Sequence, residues 1–277
     1  MLQAAHHRVT VVNLTAIDAD GQINNSNGSF ISNTVINQTG CVNSGQGELS
    51  AIAGWANFGA MVFSSGVSNV YGAVNNLAGG VIGLGDNATV VFNGDVIHNG
   101  SDIAMGNGSS IEFKGTLSGI GNYTGAGTVT MDGSFRPGNR PGVVSIGGDL
   151  EFGVENTTNF ELGGLSTGAC DQLLVGGDLT LGNSQLDVSL WNGFTLGGNM
   201  QFLVADVNGS LIGQFGGLGE GSLIGNFGGT DLFINYNGFG GNGGVGFFTS
   251  AVPEPGSLVF VGMTCLLGLV SRRRNRI

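Results

Sequence analysis

The chain has 277 residues, and glycine supplies 55 of them, about three times the usual share. Only 10% of residues are charged and 41% are hydrophobic, the reverse of the balance that keeps a chain disordered. Four cations face nineteen acids up to Pro255, a net of −15 that excludes the basic footprint of a nucleic-acid binder and would be repelled by an anionic membrane surface. Those acids are scattered singly, so they read as solubilising charge on an apolar, glycine-rich body.

The first twenty residues, MLQAAHHRVTVVNLTAIDAD, carry one cation, Arg8, and an apolar stretch broken by Asn13 and Thr15. They do not read as an export signal. An exported chain would then start upstream of Met1, and an uncapped first coil with open strand edges points the same way. Next come NNSNGSFISN (24–33) and VNNLAGGVIGLG (74–85), where Asn and Gly supply the left-handed backbone that tight corners need.

Residues 85–96, GDNATVVFNGDV, align without gaps on residues 106–117, GNGSSIEFKGTL, at an offset of 21. The alignment matches Val90 with Ile111, Phe92 with Phe113 and Val96 with Leu117. Apolar and polar residues alternate in both, the period of a half-buried strand. A looser set comes later: IGGDLEFG (146–153), VGGDLTLG (175–182) and LGGNMQFL (196–203), at offsets of 29 and 21. Strands of about five residues recurring every ~20 cannot bury a face singly but make a continuous core when stacked. The expected fold is therefore all-β, a glycine-rich parallel β-solenoid. Its interior should suit phenylalanine, 17 of the 22 aromatics, which needs no hydrogen-bond partner. A β-sandwich in the second half is the alternative, because spacings become unequal there and regular short strands suit both folds.

The segment GSFRPGNRPGVVSIGGDL (133–150) holds two strong turn pairs, Pro137-Gly138 and Pro141-Gly142. It divides the chain into solenoid repeats (1–135), a C-terminal β-repeat region (136–250) and a tail (251–277). The phrases FRPGNRPG, then DQLLVGGDLTLG, then LDVSLWNGF resemble the C-terminal part of autotransporter-associated repeat proteins, over roughly 75–250. Arg136 and Arg140 depart from the small polar residues that this resemblance leads one to expect, and YNGFGGNGGVGFF (236–248) lacks acids before the tail. The resemblance implies no catalytic residues.

The tail begins with Pro253, Glu254 and Pro255, two residues that resist helix flanking an acid. An uncharged segment comes next: Ser257, Leu258, Val259, Phe260, Val261, Gly262, Met263, Thr264, Cys265, Leu266, Leu267, Gly268, Leu269 and Val270. With its small neighbours it would span about 24 Å as a helix, short of a ~30 Å bilayer core but able to cross where the bilayer thins. Arg272, Arg273, Arg274 and Arg276 flank one side only, which places them in the cytoplasm and the body across the membrane. This order resembles the PEP-CTERM sorting signal of Gram-negative bacteria. The resemblance implies that Pro253, Glu254 and Pro255 are recognised by exosortase, a membrane transpeptidase. It further implies that 257–270 is a transient anchor in the inner membrane and that the arginines are a retention charge.

Candidate chemistry is sparse. The close acid pairs are Asp18/Asp20 and Asp149/Glu151, and Asp149 and Asp178 stand one coil apart. Glycosidase or lyase chemistry needs clustered carboxylates, whereas an Asp in a Gly-Gly-Asp turn more simply caps backbone donors. His6, His7 and His98 share no metal motif, and GGLGEG (216–221) has Gly221 where a calcium ligand would stand. Trp55, Trp191 and Tyr236 are either a sugar platform or, more simply, separate core and rim residues. Cys41 and Cys170 are either a disulfide or small buried thiols. No cofactor or metal is expected. The expected function is that of an exported, non-enzymatic surface or matrix protein, structural or adhesive, with an extracellular polysaccharide as candidate partner. The alternatives are a solenoid carbohydrate-active enzyme and an uncleaved membrane-anchored surface protein.

Overall fold

The computed structural model describes residues 2–5, 9–10, 14–17, 22–138, 141–166, 168–239 and 243–250. Every regular element among them is a β-strand. One coil shows how the chain is wound. Val81–Leu84 lies on a first face, Thr89–Phe92 on a second and Val96–His98 on a third; Ile103–Met105 then returns to the first face, on top of Val81–Leu84. All pairings between these successive coils are parallel. The third face holds nine strands, from Leu14–Ile17 to Gln185–Leu190, a stack roughly 40 Å long at the usual strand spacing. The first and second faces belong to one sheet, continuous through the long strands Gln22–Ser32 and Cys41–Ala51. The fold is a parallel β-solenoid.

The offset of 21 is a true register: Val90 pairs with Ile111, Phe92 with Phe113 and Val96 with Leu117. The offset of 29 is one too, with Ile146 on Val175 and Leu150 on Leu179. LGGNMQFL is not the next rung. Val175 pairs with Val207 and Leu179 with Leu211, so VNGSLI (207–212) continues the column. The chain spends 191–200 on a detour before it returns to the first face at Gln201–Val207. The sandwich alternative gives way as well, because parallel coils continue through Leu211–Ile212.

Beyond this last coil the chain forms a cap. Leu223–Phe227, Thr230–Asn235 and Gly244–Thr249 make an antiparallel meander, and its last strand pairs antiparallel with Gln201–Val207. Phe247 is fully buried and meets Phe160 edge-on, ring centroids 5.8 Å apart. The meander thereby covers a sheet edge that would otherwise template further strands. The predicted transmembrane segment and the rest of the tail lie outside the described residues. Among those described, no helix is long and apolar enough to cross a membrane.

Inward positions of the second face carry the aromatic stack, Phe92 lying parallel to Phe113 at 5.4 Å. At the end of the third face the interior turns polar. Asn37, Asn57, Asn76 and His98 succeed one another on consecutive coils, all at most 1% exposed. Asn37 Nδ2 donates to Asn57 Oδ1 at 2.7 Å, and Asn57 Nδ2 to Asn76 Oδ1 at 2.7 Å. Asn76 Oδ1 is thus occupied, so its Nδ2 donates to His98 Nδ1 at 3.1 Å and the imidazole carries its proton on Nε2. Each amide also donates to a backbone carbonyl, that of Ala60, Val81 or Gly80, which fixes the direction of the whole row. Ile17 precedes the row and Gly119 comes after it. Corner glycines make the room: a Cβ on Gly80 would lie 2.4 Å from Asn76 Oδ1, and one on Gly121 would strike the His98 ring.

The row is a measurable source of stability. Replacing Asn57 with Ala takes the acceptor from one Asn37 Nδ2 N–H and the donor from Asn76 Oδ1, both buried, and the urea midpoint should fall by an amount worth about 2–3 kcal/mol. Burial holds the His98 pKa below its ordinary value. Its neutral form therefore adds stability above the unfolded histidine pKa of about 6.5, and that stability is lost as pH drops below it. His98→Asn, which continues the row, should remove this part of the acid sensitivity; urea unfolding from about pH 7.5 down to about pH 5 checks it.

Candidate cleft on the third face

The outer side of the third face becomes polar in its later coils. Ser118 pairs with Arg136, and the Phe135–Thr158 pairing brings Arg136 to the level of Asn159, which pairs in turn with Asp187. In the neighbouring column Glu161 pairs with Ser189. Asn159 is held in place, donating to Asp187 Oδ2 at 2.7 Å and accepting from Ser189 Oγ at 3.3 Å. Beyond Leu190 the strand ends and Trp191 opens a tight turn. Asn192 and Gly193 have φ of 50° and 74°, and Phe194 N donates to Trp191 O at 2.9 Å. Two successive left-handed residues make the Asn-Gly pair the natural choice there.

The turn presents Trp191, 38% exposed, at the edge of a cleft of about 250 Å3. Ser118, Arg136, Pro137, Gly138, Asn159, Glu161 and Asp171 line the rest. Gly163 backs the tryptophan: a Cβ there would come within 3.3 Å of the Trp191 side chain. Larger depressions of about 630 Å3 and 810 Å3 are wide open. The first lies on the first face between Asp102 and Asp206, the second beside residues 212–219.

Asp171 holds the cleft wall. After Leu162 the chain makes a hairpin excursion, closed by a Leu162–Cys170 bridge and by Gly163 N donating to Ala169 O at 2.7 Å. At its return Asp171 is 1% exposed; Oδ1 accepts from Gly142 N at 2.9 Å and Oδ2 from Glu161 N at 2.8 Å. Burial pushes its pKa up to about 7 against the pull of those two donors. A perturbed carboxyl in a cleft invites a catalytic reading. Here both oxygens are spent on backbone amides, of Gly142 just before the strand Val143–Ile146 and of Glu161 within Thr157–Leu162, so the group ties these segments together.

The sequence-derived candidates fall apart spatially. Trp55 is core, 3% exposed, its Nε1 donating to Tyr71 O at 3.0 Å. The Tyr236 hydroxyl accepts from Phe215 N and donates to Leu218 O within the cap. Trp55 and Trp191 each line a depression, of about 350 Å3 and about 250 Å3, but of the two only Trp191 is exposed. Asp149 and Asp178 do stack one coil apart, as turn acids: Asp149 Oδ1 accepts from Asp178 N at 2.8 Å and Asp178 Oδ1 from Ser210 N at 2.7 Å. Asp86 and Asp95 do the same for Asn107 N and Thr116 N. Glu151 is exposed on the second face. Cys41 and Cys170 are both free, which sets aside the disulfide alternative; they are half-buried thiols, and burial raises both pKa values. Among the described residues no group of three His, Cys, Asp or Glu side chains is placed to hold a metal ion. His6, His7, Asp18, Asp20, Arg8, Arg140 and residues 253–276 lie outside the described residues.

Sequence reasoning missed Arg136, Asn159, Glu161 and Asp171 as neighbours. Extending the alignment beyond residue 117 could have placed Arg136 on Ser118, at an offset of 18. The hairpin at 163–170 hid the rest. No protein-family model and no curated protein matches the chain.

Asp171→Asn keeps one acceptor but sets an amide N–H against a backbone donor, so it should destabilise by about 1–3 kcal/mol. An acid whose folded pKa is raised gives the fold its advantage when protonated, and that advantage declines as pH rises from the unfolded value near 3.9 to about 7. The stability gap between wild type and Asp171→Asn should therefore narrow on going from about pH 4 to about pH 7, opposite in sign to the His98 effect. Urea titrations at several pH values measure it.

Proposed function

We propose that the chain is an exported, non-enzymatic structural or adhesive protein, sorted through a PEP-CTERM tail and displayed at the cell surface or in an extracellular matrix. The observation that carries this reading is the order of residue types in the tail. Pro253-Glu254-Pro255, an uncharged segment through Val270 and four arginines among the last six residues succeed one another without interruption. An exosortase-type enzyme is the proposed processing partner, and the inner membrane the transient location.

The body supports a passive role. Nine strands stacked in parallel make a rod whose outer faces are fixed by the backbone ladder. The regularly placed turn acids, which would be the first candidates for chemistry, spend an oxygen on the amide of the next coil. Such a rod presents a long surface and needs no moving part. An extracellular polysaccharide is the proposed partner.

Mass spectrometry of the C-terminal peptide, from producing cells and their medium, tests the sorting reading. The expected result is a body outside the cell that lacks the residues beyond Pro255. A peptide running through Arg276 and Ile277 in the membrane fraction would instead mean a permanent anchor. Incubation with the host exopolysaccharide tests the passive role: retention without new reducing ends or unsaturated sugars is expected, and turnover would make the chain an enzyme.

A further inference from the structure

We infer that the cleft beside Trp191 is a binding subsite for one neutral sugar residue of a polysaccharide, an inference that rests on the adhesive reading above. Tryptophan costs much to leave in water, yet Trp191 is 38% exposed, and it is held so by a rigid two-residue turn and by Gly163 behind it. Arg136 and Glu161 share the cleft. Neither pairs with the other or with any described residue, since the ion pair among described residues is Lys114 with Glu112. Among the described residues, a guanidinium with five donors and a carboxylate with only acceptors therefore stand without a partner beside an apolar ring. Asn159 is already committed to Asp187 and Ser189 and serves as a fixed floor.

The ligand that uses all three groups must offer a flat apolar face and, around it, neighbouring atoms that both donate and accept. A pyranose does: its C–H face packs on an indole, and adjacent hydroxyls bridge a guanidinium and a carboxylate. Other ligand chemistries leave something opposed. A phosphate or uronate would suit Arg136 but meets Glu161 in a body of net −15. An ammonium group would suit Glu161 and the indole but meets Arg136. The cleft volume of about 250 Å3 is below the usual range for a drug-sized ligand, which limits the subsite to a single ring of a longer chain.

Tryptophan fluorescence tests this on the full chain, kept in a zwitterionic detergent without a sugar headgroup. Trp55 is buried and serves as the internal reference, so changes in the exposed emission report Trp191. The probes are host exopolysaccharide, three neutral hexamers (cellohexaose, laminarihexaose and mannohexaose) and acidic hexagalacturonate. The expected result is that the exopolysaccharide and at least one neutral hexamer shift the exposed emission to the blue and protect it from acrylamide. Hexagalacturonate should bind at least about tenfold more weakly. Trp191→Ala should abolish binding measured by calorimetry. Glu161→Gln and Arg136→Gln, both outside the core, should each weaken it about tenfold with the circular dichroism unchanged. A silent Trp191 with every neutral probe, or binding that survives both Trp191→Ala and Glu161→Gln, overturns the subsite. If the exopolysaccharide is nonetheless retained, the subsite alone fails and the adhesive reading stands; without retention both fall.

Discussion

Parallel stacking in register is the constraint on which the rest of the structure depends. Once strands pair in parallel with fixed partners, every inward position becomes a column, and a column must be chemically consistent along its length. Apolar columns meet this by shape, as when Phe92 lies on Phe113. Polar columns must satisfy each donor and acceptor from the coils above and below, because no water reaches them. Within the asparagine row this is met by pointing every amide the same way and giving each a second outlet to a backbone carbonyl, while Asn37 Oδ1 and His98 Nε2 at the two ends have no partner among the described residues. Histidine ends the row because its unprotonated Nδ1 accepts from Asn76, which leaves its buried Nε2 without a hydrogen-bond partner among the described residues.

The same constraint explains the composition. Corners between faces pass within contact distance of the corner one coil below, and a side chain there would strike backbone. A Cβ on Gly72 would lie 1.9 Å from the carbonyl of Ala51, at a φ of 93° that already disfavours any other residue. Many of the 55 glycines are thus a geometric requirement of winding a chain tightly. The turn acids answer the complementary need, offering an acceptor to amides that the corner leaves without a ladder partner.

Much of this is legible because a solenoid writes its register into the sequence. Where two coils have equal length, an ungapped alignment of 85–96 on 106–117 is the structure itself. Where coils differ in length, alignment tracks resemblance and not space, which is why LGGNMQFL aligns with a rung that belongs to VNGSLI. The asparagines of the row stand in plain view at positions 37, 57 and 76, but asparagine is so frequent at corners that these positions carry no signal apart. The cleft is harder to read, since it depends on a hairpin that brings Asp171 back beside Glu161 against the order of the chain.

The closing strand has a mechanical meaning. Gly244–Thr249 is hydrogen-bonded on both sides, to Gln201–Val207 and to Thr230–Asn235, antiparallel to each. Tension applied from the C-terminal side would pull this strand along its own axis, loading both rows of hydrogen bonds in shear at once instead of peeling them one by one, with Phe247 lodged in the interior as a detent. The element that seals the rod is therefore also arranged to resist being drawn out of it, because both rows would have to break together before that strand slides.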